Sequence, residues 1–256
     1  MKVKVFMSAH TTPCTMCGRF ALATGQQRLA IEFDAEPIPD ALAPAPTWNA
    51  APTNWMPVIL ERAPEGASSK AAPRHMRPMQ WGLLPHWSKD AKGPHGHRPI
   101  NARSETVAEK RMFSRLVHTR RCIIPADGWY EWRASPRGKV PHWHHPLDER
   151  PLGLAGLWSS WAGTDGSVIE SFTILTTESA PHLAPIHARM PVLIAPESRA
   201  RWLDARADST AVLAELATVE SVHAVAASIE FFPVAPDVNR VDRDGPDLIR
   251  PIHDWW

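Results

Sequence analysis

Twenty-six prolines are spread through the 256 residues of this chain. Each fixes its own φ and removes a backbone donor, so long helices and uninterrupted central strands are excluded wherever one falls. A chain punctuated this often is expected to build short strands and turns with a few short helices. Hydrophobic residues make up 44% and charged residues 21%, enough apolar material for a globular core. The net charge is +1. That excludes a global basic field, so any nucleic acid must be held by a local patch. The three cysteines, Cys14, Cys17 and Cys122, are too few and too odd in number for a disulfide framework. They point to a reducing cytoplasm. No run of about 18 apolar residues occurs, so no membrane span is expected. Residues 1–16 lack the apolar run of a signal peptide.

Periodicity and turn chemistry divide the chain as follows. Residues 20–23 form a short strand, and residues 26–33 a helix with Leu29, Ala30 and Phe33 on one side. Residues 34–47 are a Pro- and Ala-rich loop, 55–60 a strand, 61–75 a loop tip and 79–84 a strand. Residues 88–99 form an exposed, mildly basic loop. Thr106 and Glu109 have capping-box spacing ahead of Met112, Phe113, Leu116 and Val117. Strands at 121–125 and 129–133 flank an Asp127-Gly128 turn. A hairpin joins 152–161 to 168–177 through Gly163-Thr164-Asp165-Gly166. A short helix is expected at 180–186, a strand at 190–195, helices at 197–204 and 209–219, and a last strand at 229–234. The expected architecture is α+β: one domain, a curled, barrel-like mixed sheet with helices at its margins. Its bounds are expected at 17–240, with 241–256 a tail.

Several residues invite chemistry, each beside a plainer reading. Cys17 is a nucleophile or a small buried core residue. Its spacing from Cys14 is that of a CxxC, but neither a βαβ pattern nor a second cysteine pair supports a redox or zinc reading. Glu131, between tryptophans in Trp129-Tyr130-Glu131-Trp132, is either a desolvated proton carrier or a solvent-facing strand residue. His142, His144 and His145 form an HxHH in a Pro-rich loop with no distant carboxylate or cysteine partner at a recognisable spacing. They read as adventitious ligands, and no metal or cofactor is expected.

Taken together, several segments resemble the SOS-response-associated peptidase family of abasic-site processing proteins. They include Met16-Cys17-Gly18-Arg19-Phe20, Trp48-Asn49-Ala50-Ala51-Pro52-Thr53, Trp81-Gly82-Leu83-Leu84-Pro85-His86-Trp87 and Asn101-Ala102-Arg103-Ser104-Glu105-Thr106. Arg121 to Trp132 and Ile186-His187-Ala188-Arg189-Met190-Pro191 complete the pattern, in the family's order. The resemblance implies a monomer that binds single-stranded DNA at an abasic site. It implies a thiazolidine between an N-terminal Cys17 and the opened sugar, with residues 1–16 absent or self-removed in the active form. Glu131, His187 and Asn101 would be catalytic. Arg103 and Arg189 would clamp phosphates with the help of Arg19. Asn49 would line the pocket. Trp81 and Trp87 would be stacking faces or core. The expected location is the cytoplasm, at the nucleoid when crosslinked. A cysteine hydrolase acting on proteins is the alternative.

Overall fold

The computed structural model of the protein describes residues 18–61 and 73–252. Among these, the first strands are β1 (Arg19–Leu22), β2 (Thr47–Ala50), β3 (Trp55–Glu61), β4 (Arg74–Trp81) and β5 (Asn101–Arg103). Next come β6 (Arg121–Ala126), β7 (Gly128–Ser135), β8 (Gly138–Pro146), β9 (Leu152–Ala162) and β10 (Val168–Glu178). The last are β11 (Arg189–Pro191) and β12 (Ile229–Pro233). The helices are α1 (Gln26–Phe33), α2 (Ser114–Thr119), α3 (Arg199–Leu203), α4 (Ser209–Leu216) and α5 (Val219–Ala226).

Five strands close into a barrel in the order β10-β4-β3-β6-β9, with β9 pairing back onto β10. β4 and β5 run parallel to β10, and the other pairs are antiparallel. The chain is therefore the α+β barrel expected. Closure demands close backbone approach at Gly156 on β9. A Cβ there would run into Ile124 Cδ1 and lie 2.8 Å from the Thr173 carbonyl oxygen. Ile59, Trp81, Ile123, Leu157, Phe172 and Ile174 are fully buried in the resulting core. A second sheet, β12-β8-β7-β1-β2, is antiparallel throughout.

Helix α1 matches its expected span, and β9 and β10 form the expected hairpin, with Val168 opposite Ala162. Other expectations fail. Asp127-Gly128 does not close a hairpin: β6 belongs to the barrel and β7 to the second sheet. Instead the Asp127 carboxylate accepts Ala23 N–H (2.6 Å), Thr24 N–H (3.0 Å) and the Thr24 hydroxyl (2.6 Å), tying the crossover to the end of β1. Residues 138–146 form strand β8 rather than a loop. Residues 180–186 are turns, and α2 starts only at Ser114, after the 3-10 turn at Ser104–Thr106. Helix α5 was missed altogether. Within the described residues, no helix is long and apolar enough to cross a membrane.

Candidate active site

Strand β1 runs antiparallel to β7, with Arg19 opposite Tyr130, Phe20 opposite Trp129 and Ala21 opposite Gly128. Tyr130 thus faces Arg19, the first residue of β1. The next two residues, Glu131 and Trp132, alternate between faces of the strand. Both border a cavity of about 400 Å³, together with Gly18, Arg19, Lys139 and His187. Glu131 is 2% exposed. His187 comes from the turns before β11, and its Nδ1 lies 4.0 Å from Glu131 Oε2. The same Nδ1 is 3.1 Å from both the N–H and the carbonyl oxygen of Arg189. A bare Nδ1 accepts from that N–H, and a protonated Nδ1 donates to that carbonyl. Either protonation state thus finds a backbone partner, which suits a group that passes a proton.

Arg19 stands at the rim, where its guanidinium donates to Asn49 Oδ1 (2.8 Å), the Val238 carbonyl (2.6 Å) and the Asn239 carbonyl (3.3 Å). Asn49 is buried, and its Nδ2 donates to the carbonyls of Arg240 and Arg243 at 2.9 and 2.8 Å. Asn49 thus ties β2 to the segment after β12, and it does not line the cavity around Glu131.

Asn101 and Arg103 lie on β5, opposite Ile174 and Thr176 of β10. Thr176 also faces Pro191 of β11, so β5 and β11 flank β10 at one level. The Thr176 carbonyl accepts from Arg189 Nη2 at 2.6 Å. Glu105 then takes Arg189 in a two-pronged ion pair, at 2.6 Å to Nη1 and 2.9 Å to Nη2. Burial pulls the Glu105 carboxyl up, but Arg189, its own backbone N–H and Thr177 leave it below the usual glutamate value. Arg103 is exposed.

Of the two readings for Trp81, the structure takes the core one. It has no exposed surface, it packs parallel to Phe172 and edge-on to Phe20, and its Nε1 donates to the Ile100 carbonyl. Trp87 is 48% exposed and borders a smaller hollow of about 210 Å³ with Arg111 and Arg115. The HxHH residues lie on β8, where His142 and His144 are buried and face β12. Cys14 and Cys17 lie outside the described residues. Trp132, Lys139 and Asn239 border the Glu131 cavity as well, beyond the residues to which the sequence points. Lys139 carries no sequence signal, and Asn239 sits in a Pro- and Asp-containing stretch after the last expected strand, where no pattern marks it.

A closed barrel stands beside an antiparallel sheet, and a buried carboxylate and an imidazole meet in a cavity beside β7. Residues 16–241 match the family model of the SOS response associated peptidase (SRAP) proteins, and the chain belongs to that family. It is 31% identical to the abasic site processing protein YoqW of Bacillus subtilis, over 91% of this chain and 99% of the relative. It is 30% identical to the abasic site processing protein HMCES of Gallus gallus, over 93% and 78%. Among solved structures, it superposes on a Bacteroides thetaiotaomicron protein with a TM-score of 0.75 at 20% identity, covering 93% of this chain and all of the other.

Proposed function

We propose that the protein processes abasic sites in DNA by forming a thiazolidine between Cys17 and the opened sugar on a single strand. One observation carries the reading: Glu131 and His187 meet in a cavity whose wall begins at Gly18. Gly18 is the residue that follows Cys17 in the chain. The names of the family's relatives, abasic site processing proteins, support the substrate.

The chemistry balances without a redox partner. His187 protonates O4′ as the C1′–O4′ bond breaks, and the C1′ hydroxyl gives its proton to water as the aldehyde opens. Glu131 takes a proton from the Cys17 α-ammonium, which titrates near pH 8. The amine attacks C1′, and water leaves to give an imine. The Cys17 sulfur then bonds to C1′ and its proton passes to the nitrogen, so the product equals protein plus DNA minus one water. Asn101 orients the reacting groups, and Arg103, Arg189 and Arg19 meet the backbone phosphates. Trp87 gives an exposed face for a base. A chain that still carries residues 1–16 has an amide at Cys17 and must first lose them. The Cys17 thiol attacks the Met16 carbonyl, the amine is freed, and water hydrolyses the thioester.

The test is an intact mass after mixing with a single-stranded oligonucleotide that holds one abasic site. The expected species is the Cys17-initiated chain plus oligonucleotide minus one water. If a chain begun at Met16 also stays bare, the proposal is wrong and the protein-hydrolase reading takes its place.

A further inference from the structure

We infer that Asn239 is a positioning residue of this site, acting through the indole of Trp132. The inference rests on the abasic-site reading for what the pocket wall is used for. Trp132 follows Glu131 on β7 and forms part of the cavity wall. Its single polar atom, Nε1, donates to Asn239 Oδ1 at 2.7 Å. Trp132 packs on the cluster that holds Tyr130 and Trp143, and the hydrogen bond from its edge adds a directional hold on the ring's two side-chain torsions, so Asn239 helps set the plane of this wall.

Asn239 is itself held in place. Three consecutive carbonyls, at Val238, Asn239 and Arg240, accept from Arg19 or Asn49. Arg19 and Asn49 come from β1 and β2 and bond each other at 2.8 Å. Val238 is fully buried beside Tyr130 and Trp143. The anchor therefore runs from the sheet through backbone acceptors to one amide oxygen, and from there to the indole. All the backbone acceptors survive replacement of the Asn239 side chain. The substitution removes the tether and leaves the strap.

The wall matters because it stands one residue from Glu131, in the cavity that the abasic-site reading assigns to the sugar. A flat indole held in one plane is a stacking face prepared in advance, while a loose one must be ordered as DNA binds. Asn239→Ala is expected to slow crosslinking at subsaturating DNA by about fivefold, the scale of one neutral hydrogen bond. In a Trp132→Phe background the same substitution is expected to change the rate by less than about twofold, because the shared interaction is already gone. A second readout needs no DNA. In protein labelled with 5-fluorotryptophan, the fluorine resonance lost in Trp132→Phe is that of Trp132, and it is expected to shift or broaden in Asn239→Ala. Equal slowing in both backgrounds, or an unmoved resonance, would overturn the inference. If the parent protein forms no crosslink, the abasic-site reading falls first, and the resonance still decides whether the tether exists.

Discussion

His144 shows how far a side chain can be from the role its pattern suggests. Its ring lies between Trp129, at 4.9 Å and 18° between planes, and Phe231, at 5.4 Å and 27°. Its Nδ1 lies 3.2 Å from the His142 carbonyl oxygen. Burial pushes the imidazole down to about 3, so the folded protein keeps it neutral. In the unfolded chain a histidine titrates near pH 6.5. The folded value is the depressed one, so the stabilisation is complete above about pH 6.5 and is lost as pH falls from there toward the folded value. At pH 5 this single group costs about 2 kcal/mol. Burial shifts His142 the same way. Urea unfolding at pH 7 and pH 5 should therefore show a loss in a window above the usual carboxylate range. His144→Phe keeps the stack and should shrink that difference by about 2 kcal/mol. An unchanged difference would assign the acid sensitivity elsewhere.

At the scale of elements, local signals were legible and pairing choices were not. The apolar spacing of Leu29 and Phe33 delimits α1, and the Gly163-Thr164-Asp165-Gly166 turn delimits the β9–β10 hairpin, because both are written in neighbouring residues. The same logic misplaced Asp127-Gly128. Turn chemistry specifies a change of direction, not which sheet receives the next strand. β8 hid because Pro141, Pro146 and three histidines carry no alternating apolar signal; it is buried on both faces, one carrying Trp143 and the other His142 and His144 against aromatic rings. In the site, the segments around Glu131 and His187 could be read, whereas Asn239 could not, since its neighbours are held by backbone carbonyls that have no residue signature. Asp127 offers a test at this scale. Its carboxylate serves two backbone N–H groups and a hydroxyl where the chain leaves the barrel for the second sheet. Asp127→Ala strands those donors and should cost about 2–4 kcal/mol of unfolding free energy. Asp127→Asn keeps one acceptor oxygen and should cost less. Equal stability of all three proteins in urea would remove Asp127 from the account of how barrel and sheet are joined.

Across the whole molecule, the returning end of the chain, residues 234–252, lies as a strap against the second sheet. The family match stops at residue 241, yet packing continues past it. Trp48 N–H donates to Asp244 Oδ1 at 2.7 Å, and Asn49 reaches the Arg243 carbonyl. Leu248 is 1% exposed in a cluster with Ala21, Tyr130, Trp143, Val234 and Val238. Ile252 N–H donates to the Pro233 carbonyl at 3.0 Å, and Val234 bridges to Pro251. Burial of a leucine side chain stabilises by about 1.5–3 kcal/mol, and truncation leaves a cavity besides. Leu248→Ala should therefore lower the unfolding free energy by about 2–4 kcal/mol. The cluster also holds Tyr130, which neighbours Glu131, and Val238, whose carbonyl accepts from Arg19. If strap and sheet are one cooperative unit, the variant unfolds in a single transition with the denaturant slope of the parent, only at lower urea. A second transition, or a shallower slope with an unchanged midpoint for the remainder, would make the strap a separately folding lid. The anchoring of Trp132 and Arg19 would then loosen well before the barrel melts.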